Sequence, residues 1–331
     1  MAVAAVTLPV DDRQAPLALR GRFGSLVGPA VVVLVLASLP WWVPKYWLFL
    51  CGQSAVYALA VLSLIVLRRA TGGISLCQAS FMGIGAYACA WLTTSERLPL
   101  TAAMAISVLV AVVVGAALAL PALRLQGLQL SVLTICTALA ANAVIFNSGA
   151  PLSLSVATEG ASIPTGARPF GIGIASAAAV YWVLLGVAVV VFVLVAVLLR
   201  GAIGATWQAM RSGNWAAWAS GIQVTRYKIL GFAIASTIAA ISGVMLIVSS
   251  HTVVSSSFDI PTSLSLVVFA MFVGMESLPS AVVAGVITAA GPEILQTFSL
   301  SGDIVTTVIG AFTVAAIVIR ARREGAPDAD R

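Results

Sequence analysis

Apolar runs of about 14 to 24 residues follow one another along nearly the whole chain, and almost all of its charge lies in the gaps between them. A helix needs about 20 apolar residues to cross a bilayer of about 30 Å, so a chain patterned this way folds as a set of membrane-spanning helices. Composition agrees: 17 basic and 11 acidic residues make up only 8% of the 331, against about 25% in a soluble domain. With 61% hydrophobic residues and a mean hydropathy of +1.09, the apolar groups exceed any interior a soluble chain could wrap in polar surface. The expected fold class is all-α, a polytopic membrane protein with about ten transmembrane helices.

Spans are expected near residues 25–39, 46–67, 78–94, 99–120, 127–146, 176–199, 229–250, 262–275, 281–299 and 304–319. The third is rich in Gly and Ala, and the eighth is barely 14 residues long before Gly274 and Glu276. Either suits a re-entrant or broken helix lining a cavity, where irregular backbone is tolerated at membrane depth, and eight spans is the alternative count. Residues 1–24 hold Asp11, Asp12, Arg13, Arg20 and Arg22 ahead of the first run, with no small-residue cleavage site after it, so they read as a cytoplasmic tail. With that tail inside and ten alternating spans, 14 of the 17 basic residues fall on the cytoplasmic side, and only Lys45, Arg97 and Arg168 outside. The resulting organisation is a cytoplasmic tail over 1–24, a transmembrane domain over 25–320 containing a cytoplasmic loop over 200–228, and a cytoplasmic tail over 321–331.

Catalytic patterns are missing from this frame. Cys51, Cys77, Cys89 and Cys136 stand singly in apolar runs, without the spacing of a zinc site or a disulfide framework, so buried packing is their expected role. A single histidine, His251, excludes paired-His metal motifs. The net charge of +6 comes from basic residues scattered over the whole chain, which gives no footprint for nucleic acid. Gly83 to Ala88 fits G-x-G-x-x-A but lies inside an apolar span with no strand before it; Gly83, Gly85 and Ala86 read instead as small residues that let helices approach closely. The only lysines, Lys45 and Lys228, do not follow glycine, so no phosphate-binding G-x-x-x-x-G-K-[ST] loop exists.

Buried charge is equally scarce. Glu293 alone is expected to enter the bilayer, just after Gly291-Pro292, where Pro292 would open a helix and the carboxylate would sit on its exposed N–H groups. That scarcity argues against an ion-coupled carrier, which places charge at mid-membrane, and against a membrane-embedded enzyme, which needs a nucleophile and base there. Gln53, Ser75, Gln78, Thr134, Asn142 and Thr237 are candidates to line a path, with interhelical hydrogen bonds of about 0.6 kcal/mol each as the plainer explanation. In the loop over 200–228, Trp207, Met210, Trp215 and Trp218 form an apolar set around a Gly213-Asn214 break. Such a set suits either a surface that docks another protein or an interfacial helix with Trp at headgroup level.

Four stretches carry a family resemblance. The run from Gly72 to Tyr87, GGISLCQASFMGIGAY, resembles a G-x-x-S-L-G-x-A-x-F-x-G-I-G-A-Y signature, with Cys77 at a glycine position. Gly204, Ala209-Met210-Arg211, Ala216-Ala217, Gly221-Ile222 and Tyr227-Lys228 resemble a cytoplasmic coupling loop, with Ala205 and Trp218 where a basic and an acidic residue are usual. Met275 to Ala281 is similar to a third segment, with Glu276 and Ser280 at glycine positions, and Thr158 to Pro164 resembles part of a long outside loop. Over roughly residues 50–320 the chain thus resembles the permeases of branched-chain amino-acid ATP-binding-cassette importers, of the longer-looped type.

The resemblance implies a permease that moves a small polar solute by alternating access, branched-chain amino acids first, with urea or short amides as the alternative and a passive channel or ion-coupled carrier as the rival. It implies no cofactor on this chain, with ATP and Mg held by two separate ATP-binding subunits that engage Gly204, Trp207, Met210, Arg211, Trp215, Ala216, Ala217 and Gly221. A second permease subunit, an extracytoplasmic solute-binding protein and a bacterial plasma (inner) membrane location complete the expectation.

Overall fold

A computed structural model describes residues 34, 36–123, 125, 128–146, 161–163, 176–211, 223–275 and 277–297. In the first unit, ending at Val43, Leu39–Trp41 forms a single 3-10 turn. The second unit, from Pro44 onward, holds helices α1 (Lys45–Thr71), α2 (Gln78–Thr94), α3 (Leu100–Ala122), α4 (Leu128–Ala141), α5 (Ala177–Arg200), α6 (Ala202–Arg211), α7 (Val224–Ser250), α8 (Ile260–Val273) and α9 (Leu278–Thr297). A π-helical turn, Asn142–Phe146, prolongs α4. Strands β1 (Ala161–Ser162) and β2 (Thr252–Val253) pair antiparallel, fastening the end of α7 to a piece of the long loop after α4. The expected span at 304–319, most of that at 25–39, and both tails lie outside the described residues.

The chain is an all-α, multi-pass membrane protein, and four of the described helices, α1, α3, α5 and α7, are long and apolar enough to cross a membrane. Their burial separates centre from wall. The apolar windows of α1 and α7 are 72% and 78% buried, those of α3 and α5 only 33% and 28%. Leu109 and Val113 of α3 and Val193, Leu194 and Val197 of α5 accordingly point outward, as lipid-facing side chains do. The α1 helix starts after Pro44 and stops at Gly72, whose φ of 75° is the left-handed cap that glycine adopts freely. Arg68 and Arg69 in its last turn complement the negative end of the helix dipole.

Small residues set how closely the centre packs. A Cβ on Gly243 of α7 would lie 1.8 Å from the Met82 carbonyl oxygen of α2, and one on Gly85 would lie 2.5 Å from the Ala240 carbonyl oxygen. The two backbones therefore touch with nothing between them. On the opposite flank, Gly285 of α9 meets Ala58 of α1 in the same way. Gly83 and Ala86 are buried in α2.

Three features differ from expectation. Pro292 does not open a helix: α9 runs through it unbroken, and Glu293 receives a hydrogen bond from the Tyr46 hydroxyl of α1 instead of capping an N-terminus. Pro inside a membrane helix is tolerated because neighbouring groups re-satisfy the freed backbone. Next, α7 begins five residues before the apolar run at 229, and Lys228 is only 7% exposed within it; its methylene stem covers apolar surface, which hydropathy does not register. Finally, Cys77 and Cys89 are buried and Cys51 half-buried, but Cys136 is exposed, because α4 presents that face, with Val132 and Leu139, outward.

The short third and eighth spans prove to be related. At 17 and 14 residues, α2 and α8 are about 26 and 21 Å long, less than a bilayer. Gln78, the first residue of α2, accepts a 3.2 Å hydrogen bond from Ser63 of α1, which lies eight residues, or about 12 Å, inside the end of that helix at Thr71. Residues 72–77 thus climb back into the protein without helical structure. In turn the Ala79 N–H donates to Ser263 Oγ in the first turn of α8, at 3.2 Å. Two short helices begin side by side in the interior.

Gly243→Ala forces the Met82 backbone aside and is expected to destabilise the fold by about 1–3 kcal/mol. Thermal unfolding of the purified chain in detergent measures this, and an unchanged Tm would contradict the α2–α7 contact.

Candidate functional site: a polar junction where two short helices begin

The non-helical stretch before α2 is held by α4. Ser131 donates to the Ile74 carbonyl at 2.9 Å, and the Leu76 N–H donates to Thr134 Oγ1 at 3.1 Å. Ser75 Oγ lies 3.1 Å from Cys77 Sγ. Backbone groups that neither helix nor water satisfies thereby find side-chain partners, the condition for irregular backbone at membrane depth. Leu130 of α4 packs over Gly73, where a Cβ would lie 2.7 Å from its Cδ2 and displace that methyl group.

At the junction itself, pairing is incomplete. Gln78 is 1% exposed and Ser80 2% exposed, yet Gln78 Nε2 and Ser80 Oγ have no partner among the described residues. Each such group costs about 1–3 kcal/mol, and native proteins keep few of them. The first N–H groups of a helix also lack intrahelical partners and carry the positive end of its dipole; the N-cap residue Cys77 makes no side-chain cap on α2, and Ser263 takes the Ala79 N–H. Across the junction, Asp259 precedes α8 without capping it and receives a hydrogen bond from Asn142 Nδ2. Phe258, 1% exposed, meets Tyr87 edge to face with ring centroids 6.0 Å apart. The arrangement offers donors on one side, a carboxylate on the other and aromatic surface beside it.

Of the polar residues singled out in the sequence, Ser75, Gln78, Thr134 and Asn142 belong to this junction. Gln53 does not: its Nε2 donates to Ser249 and Ser250 of α7 at 3.2 and 3.0 Å, tying α1 to α7 one helix-end away. Thr237 donates to Ala233 of its own helix at 2.6 Å. Ser63, Ser80, Ser263 and Asp259 complete the junction but were not legible as its members. The one available signal was Asp259-Ile260-Pro261, the pattern of a helix start. A separate, mainly apolar cavity of about 240 Å³ lies between the starts of α1 and α5 and the end of α7, lined by Phe49, Tyr181, Leu184 and Ser249 among others.

The loop helix α6 also departs from expectation. Trp207 is 1% exposed and donates its indole N–H to the Tyr227 carbonyl at 3.2 Å, and Met210 is 7% exposed. Both face the bundle, and Gly231 and Ala70 leave room for the indole beneath α6. Gly204 sets the corner, since a Cβ there would lie 1.9 Å from the Leu199 carbonyl oxygen. Arg211 ends α6, while Trp215, Ala216, Ala217 and Gly221 lie outside the described residues.

Comparison with known proteins places this geometry. The profile described as "Branched-chain amino acid transport system / permease component" matches residues 46–317. A "High-affinity branched-chain amino acid transport system permease protein LivM" of Salmonella typhimurium is 24% identical over 288 residues, covering 81% of this chain and 68% of that protein. Its Escherichia coli namesake is 25% identical over 291 residues, with the same coverage. No solved structure matches the chain significantly.

Trp207→Ala is expected to cost about 3–5 kcal/mol, as for other buried Trp truncations, lowering the Tm of the chain purified alone. A Tm equal to wild type would return Trp207 to the surface.

Proposed function

Since the chain belongs to the branched-chain amino acid transport permease family, we propose that it is the permease subunit of an importer powered by ATP hydrolysis on two separate subunits, which supply the ATP and Mg sites. The chain is a transport component, not an enzyme. A second permease subunit would complete the pathway, and an extracytoplasmic binding protein would deliver the solute, branched-chain amino acids first, across a bacterial inner membrane with both termini cytoplasmic. The observation that supports this reading is the buried polar junction, in which Gln78 and Ser80 keep unpaired hydrogen-bonding atoms amid apolar helices. Buried, unmet polar groups suit a pathway that opens to a polar solute.

Coupling would run through α6. Its Trp207 holds the Tyr227 carbonyl of α7, and α7 touches α2 at Gly243 and Met82, so displacement of α6 by the ATPases is passed to the first turn of α2 through stiff, closely packed elements.

Uptake of radiolabelled L-leucine into proteoliposomes holding the full importer tests the proposal. ATP-dependent uptake that disappears when the ATPase subunits are omitted is expected. Uptake that persists without them would establish a channel or ion-coupled carrier and refute it, and uptake of urea or short amides in place of leucine would refute the solute.

A further inference from the structure

We infer that the junction holds the two charged ends of an α-amino acid: the carboxylate on the first turn of α2, through Gln78 Nε2, the Ser80 hydroxyl and the N–H groups of that turn, and the ammonium on Asp259. The inference rests on the reading of the chain as an amino-acid permease and names the residues that meet the amino acid.

Four observations carry it. The N-terminus of α2 lies in the interior, about 12 Å from the end of α1; its N-cap residue Cys77 makes no side-chain cap, its first turn holds no acid, and Ser263 takes the Ala79 N–H. A positive helix end away from water, with one N–H taken by a neutral hydroxyl and no acid beside it, attracts an anion, and half-helices that start within a membrane use it so. The same turn contributes two orphaned groups on residues 1 and 2% exposed. Gln78 Oε1 is held by Ser63, which fixes the amide and leaves its NH₂ on offer.

Opposite charge lies one step away. Ser263 N–H bonds the Asp259 carbonyl at 3.2 Å, and Ser263 Oγ receives the Ala79 N–H. Asp259 thus lies one helical turn of α8, about 5.4 Å, from the serine that meets the α2 turn, which places both charges on one junction for a zwitterion to bridge. Asp259 has an amide partner, Asn142, and no cationic side chain pairs with it among the described residues. Phe258 and Tyr87 beside it offer apolar surface to an aliphatic side chain.

The test uses the full importer in proteoliposomes, with L-leucine as probe and variants Ser80→Ala and Asp259→Asn. The Ser80 hydroxyl has no partner among the described residues, so its removal should hold or raise the Tm while L-leucine uptake falls about tenfold, the effect of losing one hydrogen bond to a charged group. Asp259→Asn should lower uptake at least as much and keep the Asn142 contact. In the complex without its binding protein, millimolar L-leucine should raise the Tm of wild type, whereas L-leucinol, lacking the carboxylate, and isocaproate, lacking the ammonium, should not. Unchanged uptake in both variants, equal protection by all three compounds, or uptake lost only in step with Tm would overturn the assignment. A wild-type importer that takes up no leucine at all would fail at the prior reading, which the variants leave separate.

Discussion

A backbone N–H or C=O in lipid has no water to turn to, and every departure from helix inside this protein is built around that constraint. Residues 72–77 leave the helical path in the interior because Ser131 and Thr134 of α4 take up the Ile74 carbonyl and the Leu76 N–H. The start of α2 is possible because Ser263 of α8 accepts from Ala79. The interrupted helices exist because α4 and α8 supply what the solvent does not, and the polar junction follows from the interruption.

Around that junction the protein divides its labour by packing. The outer helices α3 and α5 present branched aliphatic side chains outward and bury little, whereas α1 and α7 bury most of their length. Glycine at Gly85, Gly243 and Gly285 brings backbones into contact. Contacts without side-chain slack transmit displacement, since a packed core shifts between discrete arrangements more readily than it deforms. The inward grip of Trp207 places the loop helix α6 in the same stiff network.

The fold was largely legible in the sequence, because lipid makes hydropathy and length nearly sufficient. The third expected span, 78–94, coincides with α2, and the shortness of the third and eighth runs pointed to broken helices. Errors arose where side chains are amphipathic or context decides. Lys228 is buried by its stem, Trp207 by a pocket over Gly231, and Pro292 sits mid-helix because membrane neighbours tolerate it. The site was half legible: Gln78 and Asn142 stand out in apolar runs, but a serine is too common in such runs to announce that Ser63, Ser80 and Ser263 meet. Asp259 is not legible as a member of the junction, since nothing in its neighbourhood tells how far the chain dips after α7.

The most direct measurement is a cryo-electron microscopy structure of the assembled importer in a lipid nanodisc with saturating L-leucine. The account predicts Gln78 below the level of the lipid headgroups, with solute density spanning the first turn of α2 and the Asp259 carboxylate. Solute density confined to the cavity between Phe49 and Tyr181, or a first turn of α2 lying at the membrane surface, would contradict it.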